Sequence, residues 1–192
     1  MTAPAAAIVL AGGRSSRLGG VEKASVEIDG RTLVDHAFAA VRACAPVIAV
    51  GPDTIARPGI RVVREAPAFG GPAAAVAAGV AAIENSGVSE VWLLACDLPR
   101  AEALVSRLAT APIPADADAV VAVDAAGRMQ WLAGRYRLAA LLVAVDRHPD
   151  VAGMSMRSFF ADLRLHAVDD GGTAVDLDTW AAVEDYRKHA KG

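Results

Sequence analysis

An α/β architecture, with a mostly parallel sheet held between layers of helix, follows from three features of the sequence. Short apolar runs such as Ala5–Leu10 and Val91–Cys96 read as strands buried on both faces. Segments of helical spacing alternate with these runs along the chain. The 192 residues contain no repeat and no Pro-, Gly- or Ser-rich linker, so they predict one domain, large enough to bury a core.

Ala5–Leu10 is the first expected strand. Thr32–Cys44 reads as a helix, with Leu33, Ala37, Ala40 and Val41 near one face. Pro46–Val50 and Arg61–Arg64 are short strands. Pro72–Glu84 is an alanine-rich helix whose proline suits the first helical position. Glu90–Cys96 is a strongly apolar strand, and Ala101–Thr110 a helix. Ala117–Val123 is a strand that turns through Asp124–Arg128 into another, Met129–Ala133. Arg135–Arg147, Ser155–Leu163 and Thr179–His189 complete the helices.

Hydrophobic residues make up 54% and charged residues 21%, a globular composition without low-complexity segments. The net charge of −3 gives no basic field for nucleic acid. Cys44 and Cys96 have no metal-binding spacing, which points away from a disulfide framework and towards a reducing cytoplasm. Pro4–Leu10 has no preceding Lys or Arg and does not read as a signal segment. No run approaches the ~20 apolar residues of a membrane span.

The chemistry concentrates just after the first strand, in Leu10-Ala11-Gly12-Gly13-Arg14-Ser15-Ser16-Arg17-Leu18-Gly19-Gly20-Val21-Glu22-Lys23. Paired glycines expose backbone N–H groups, and Arg14, Arg17 and Lys23 follow them, which suits a polyphosphate. The spacing fits neither a Walker A loop nor G-x-G-x-x-G. In parallel sheets ligands lie beyond the carboxyl ends of strands, where both Gly12-Gly13 and Asp97 fall. Asp97, fixed before Pro99, reads either as a hard oxygen ligand for Mg2+ or as a cap for the following helix. Asp176 and Asp178 alternate on an extended segment and so face one way. They could complete a magnesium shell opposite Asp97, or Asp178 or Thr179 could cap the last helix. Trp131 suits half-buried packing, or stacking on a ligand. His36, His148, His166 and His189 sit in no motif.

The glycine-rich string resembles the signature L-A-G-G-x-S-x-R-x-G-x-x-K of the nucleotidyltransferases. Its G-G-V-x-K spacing is most similar to the molybdenum cofactor guanylyltransferase branch. Gly71-Pro72-Ala73-Ala74-Ala75, Cys96-Asp97, Gly127–Tyr136 and Ala174–Thr179 resemble further family elements in family order. The resemblance implies a Rossmann-like three-layer domain of the nucleotide-diphospho-sugar transferase type over 1–192. Its nucleotide side would span about 1–100 and its acceptor side about 101–192. It also implies transfer of GMP from GTP to the phosphate of molybdopterin or molybdenum cofactor, with Mg2+ as cofactor, and transient contact with other cofactor-assembly proteins.

By the same resemblance, Leu10, Ala11, Gly12 and Gly13 bind the nucleotide, chiefly through backbone. Lys23 and Arg17 neutralise the triphosphate, where the alternative for each is an exposed surface cation. Asp97 and Asp176 hold the metal, and Glu65 meets base or ribose. Arg128 or Gln130 meets the acceptor. The chain departs from the family at Gly51, where Asn is usual, at Glu65, where Asp is usual, and at Trp180-Ala181, where Pro-Glu is usual. The rival readings are a cytidylyltransferase, or another transferase acting on a small phosphorylated acceptor, and, from another class, a non-catalytic nucleotide-binding partner in cofactor assembly.

Overall fold

β1 (Ala5–Leu10) pairs in parallel with β4 (Val47–Val50) on one side and β6 (Glu90–Ala95) on the other. These contacts belong to a computed structural model that describes residues 5–13 and 22–189. With β5 (Ile60–Val63), β7 (Ala119–Val123), β8 (Met129–Arg137) and β9 (Leu165–Asp169), they form a seven-stranded sheet in the order β5-β4-β1-β6-β8-β7-β9. β8 alone among these strands runs antiparallel to its neighbours. The mostly parallel α/β domain expected from the sequence is the one observed.

Alternation along β1 splits the core in two. Ala7 and Val9 face α1 (Leu33–Ala40) and α3 (Ala101–Ala109), packing with Val34, Leu104 and Leu108. Ala6 and Ile8 face α2 (Pro72–Ala81) and α4 (Leu138–Arg147), with Val76, Val80 and Leu141. Ile8 is wholly buried, a contribution of about 1.5–3 kcal/mol. The small side chains of α2 let it lie close: a Cβ on Gly79 would sit 2.5 Å from Ile8 Cγ2. α5 (Met156–Phe159) and α6 (Trp180–His189) complete the helices. Among the described residues no helix is long and apolar enough to cross a membrane.

Several expectations need correction. β8 continues to Arg137, through residues expected to begin a helix, and α4 starts at Leu138. The charges misled, because Arg135 and Arg137 find partners inside the fold. Arg135 reaches Ala111 O at 2.6 Å and lies over Trp92, and Arg137 donates to Ala117 O at 3.0 Å. Tyr136, on the opposite face, stacks 5.0 Å from Phe160. The edge strand β9 was not expected, since its partly exposed side chains weaken the apolar signal. A small hairpin of β2 (Glu27–Ile28) and β3 (Arg31–Thr32) was also missed, although Asp29-Gly30 is a strong turn pair. α1 ends at Ala40 rather than Cys44, and α5 covers only Met156–Phe159 of the expected Ser155–Leu163.

Candidate active site

The registers of β1, β4 and β6 make the three strands end level, with Leu10 opposite both Val50 and Ala95. Beyond that edge the Ala11 N–H donates to Val50 O (2.8 Å) and the Cys96 N–H to Leu10 O (2.9 Å). These bonds carry the ladder one residue further and aim Gly12 and Asp97 outwards from neighbouring strands. Gly13 has φ +139°, a conformation that favours glycine. Arg14 and Arg17 lie outside the described residues.

Lys23 opens a short helical turn, Lys23–Ser25. Its Nζ donates to Asp97 Oδ2 and to Asp178 Oδ1, bringing together residues far apart in sequence. Partial burial works against the ammonium charge, but Asp97 and then Asp178 outweigh it and hold the pKa above the usual lysine value. Lys23 is therefore firmly cationic at neutral pH and enclosed at the site.

Asp97 does not cap α3, whose N-cap is Arg100 with no side-chain bond. One carboxylate oxygen accepts from Lys23, while the other, Oδ1, is buried without a hydrogen-bond partner among the described residues. A buried, unsatisfied carboxylate oxygen is costly unless a donor or cation meets it.

The C-terminal segment docks here through Leu177, which is buried and donates its N–H to Asp97 O at 3.2 Å. Asp176 and Asp178 flank it. Asp178 joins Lys23, while Thr179 Oγ1 accepts the Ala182 N–H at 3.2 Å and caps α6. The capping role thus belongs to Thr179. Asp176 keeps an exposed surface, yet partial burial of its carboxyl, and then Asp97 and Asp178, push it up to about 6.

Asp170 braces this segment, although it lies in no motif of the sequence. It is buried, and its carboxylate accepts the N–H groups of Gly172 (3.0 Å) and Ala174 (2.8 Å).

Adjoining cavities run across the edge of the sheet. One of about 310 Å³ is lined by Leu10, Gly12, Gly13, Glu65 and Asp97. Another of about 700 Å³ shares Gly12, Gly13 and Glu65 and adds Ala11, Lys23 and Gly51. On the other side of Asp97, about 200 Å³ is lined by Gln130, Trp131 and Asp176. A further 450 Å³ adjoins Arg128, Gln130 and Asp176. Asp97 thus stands between the two groups of cavities. Glu65 Oε1 accepts the Phe69 N–H at 3.3 Å, and both carboxylate oxygens lie 3.6 Å from where a Cβ on Gly12 would be. At Gly51 a Cβ would meet the Ala11 carbonyl at 3.0 Å, so the missing Asn side chain has no ready space.

Arg128 is engaged with Asp124 at the β7–β8 turn, Nε to Oδ2 at 2.8 Å. Gln130 Nε2 approaches the same oxygen at 3.5 Å. Trp131 is half-buried, tilted against Phe160, and lines the smaller cavity. Cys96 lines the 310 Å³ cavity, but burial and then Asp97 push its thiol up to about 12, so it is no nucleophile.

Among the described residues no three His, Cys, Asp or Glu side chains close on one point as a self-sufficient metal cage. Asp97 and Asp176 nevertheless fit a hard divalent cation of the kind that takes one or two carboxylates and completes its shell with phosphate oxygens. The unsatisfied Asp97 Oδ1 supplies the opening for such an ion.

The MobA-like NTP transferase domain matches residues 7–168. A molybdenum cofactor guanylyltransferase of Acidiphilium cryptum is 35% identical over 188 residues, covering 93% of this chain and 91% of the relative. A probable molybdenum cofactor guanylyltransferase of Mycobacterium tuberculosis is 34% identical, covering 71% and 69%. The fold is similar to that of molybdopterin-guanine dinucleotide biosynthesis protein A from Archaeoglobus fulgidus, with TM-score 0.72, 16% identity and coverage of 97% and 98%. It is also similar to 4-diphosphocytidyl-2C-methyl-D-erythritolsynthase from Anaerococcus prevotii, with TM-score 0.70, 12% identity and coverage of 99% and 97%.

Proposed function

The chain belongs to the MobA-like NTP transferase family, and from there we propose that it is a nucleotidyltransferase moving GMP from GTP onto the phosphate of molybdopterin or its metal-loaded form. The observation that carries this reading is the position of Lys23 and Asp97. The lysine is held charged, and the carboxylate divides a nucleotide-sized space beside Gly12-Gly13 from a second space beside Gln130 and Trp131.

An acceptor phosphate oxygen attacks the α-phosphorus of GTP. One P–O bond forms, the bond from the α-phosphorus to the bridging oxygen breaks, and pyrophosphate leaves with that electron pair. The acceptor is already an anion at neutral pH, so the step requires no protein nucleophile and no proton abstraction. What it requires is in-line placement and relief of repulsion between anions.

Gly12 and Gly13 leave room for the nucleotide against the strand ends, with Leu10 and Ala11 behind them and Glu65 beside them. The Ala11 N–H is used by Val50, so Ala11 has its carbonyl to offer. Lys23 neutralises charge at the α-phosphate and on the departing pyrophosphate, and Arg17 is assigned the same task from the family motif. Asp97 and Asp176 would hold Mg2+, which when bound shields phosphate oxygens from one another. Gln130, with Arg128 at the rim, borders the acceptor space. In this arrangement the nucleotide side falls in about 1–100 and the acceptor side in about 101–192.

Gly51 and Glu65 replace the family's Asn and Asp and so remove groups tied to guanine choice, and the reading to be set against GMP transfer is transfer of CMP. The two are separated by incubating purified protein with molybdopterin, Mg2+ and GTP, CTP or ATP in parallel and identifying the product by mass. The guanine dinucleotide with stoichiometric pyrophosphate is expected. A cytosine dinucleotide would replace this reading, and nucleotide binding with no product would leave a non-catalytic binding partner.

A further inference from the structure

Phe69, in the loop between β5 and α2, is 60% exposed, more than any other large apolar side chain among the described residues. It stands where the 310 and 700 Å³ cavities meet and lines both. Its φ of +59° is a left-handed conformation that bulky side chains seldom adopt.

The loop is built to keep it there. The Phe69 N–H donates to Glu65 Oε1, the Gly70 N–H to Pro67 O at 2.9 Å, and Gly70 O accepts the Gly153 N–H at 2.8 Å. A Cβ on Gly70 would lie 2.8 Å from Ala74 Cβ, so this turn packs directly onto α2. A left-handed backbone at a bulky residue and a large apolar side chain left 60% exposed coincide at the mouth of the nucleotide space.

We infer that Phe69 is the stacking wall for the nucleobase, facing a slot whose other side, Gly12-Gly13, carries no side chains. Aromatic stacking needs only a flat ring on each partner, and its strength grows with ring area. Phe69 therefore favours a purine over a pyrimidine nucleotide. Glu65, which anchors the Phe69 backbone, presents its carboxylate at the edge of the same slot. This inference rests on the nucleotidyl-transfer reading and names a residue that sets its base preference.

The test compares wild type with Phe69→Leu, which keeps apolar bulk but loses the ring, and Phe69→Tyr, which restores it. Pyrophosphate release gives KM and kcat for GTP and CTP, and inorganic tripolyphosphate serves as an inhibitor that has no base. Phe69→Leu raises the GTP KM about tenfold and the CTP KM less, carries the loss in KM rather than kcat, and leaves tripolyphosphate inhibition within twofold. Phe69→Tyr recovers most of the GTP affinity. A GTP KM within twofold of wild type, or equal weakening of GTP and tripolyphosphate, overturns the inference. Calorimetric GTP binding repeats the comparison without turnover. A wild-type protein that binds GTP but transfers nothing refutes the transfer reading, while the variants' binding still decides the role of Phe69.

Discussion

Replacing Lys23 by methionine keeps much of the side chain's length and removes its charge. Among the described residues the ion pairs to Asp97 and to Asp178 disappear, in a pocket where Lys23 is 22% and Asp97 14% exposed. Breaking a fully buried pair costs about 3–5 kcal/mol. Here the 50% exposure of Asp178 lets water screen that half of the contact, so a loss of about 1–2 kcal/mol is expected. The sign with pH follows from the direction of the shift. Pairing raises the Lys23 pKa above 10.5, so its contribution is complete below about 10.5 and is lost as pH rises through the raised value. Lys23→Met should lack that alkaline loss. Its effect on catalysis is larger, because a fixed cation at developing phosphate charge contributes at least ~10²-fold. Steady-state pyrophosphate release across GTP concentrations, alongside urea denaturation at pH 7 and pH 11, measures both effects. A kcat/KM within twofold of wild type would refute the assigned role.

The Asp176 carboxyl, raised to about 6, should make Mg2+ activation weaken as pH falls below about 6, and Asp176→Asn should abolish that dependence. The raised value also means that the folded state holds this proton more tightly, so stability declines as pH rises from about 4 to about 6. Discounted for exposure, Asp176→Asn should gain about 1 kcal/mol at pH 7 by chemical denaturation; a loss would contradict the electrostatics. Asp170→Ala leaves the Gly172 and Ala174 N–H groups without their acceptor. It should cost about 1–3 kcal/mol and raise the Mg2+ concentration for half-maximal activity; an unchanged Mg2+ demand would separate Asp170 from the site. Gly79→Ala gains helix propensity of about 1 kcal/mol but drives a methyl to within 2.5 Å of Ile8. A net thermal destabilisation is expected, and a higher Tm would show that α2 is not closely seated on β1.

The parallel half of the sheet was readable because β1, β4 and β6 are buried on both faces, so their apolar runs are continuous. Past Ala133 the strand β8 is hidden in the sequence because Arg135 and Arg137 interrupt its apolar pattern, their guanidinium groups reaching the Glu90 carboxylate and distant carbonyls only in the fold. β9, on the sheet edge, buries too little to print a pattern. At the site, Lys23, Asp97 and Asp176 could be named from spacing and family resemblance. The partnership of Lys23 with Asp178 could not, because it joins chain segments brought together only when Leu177 docks against Asp97. Phe69 and Asp170 lacked any motif; their roles come from a loop conformation and from burial, neither of which is local in sequence.

The most direct measurement is a crystal structure of the protein with Mg2+ and a non-hydrolysable GTP analogue. The account predicts the triphosphate over Gly12-Gly13, its α-phosphate within hydrogen-bond reach of Lys23 Nζ, and the metal on Asp97. A nucleotide bound away from the β1 and β6 ends, with Lys23 still clasped by Asp97 and Asp178, would contradict it.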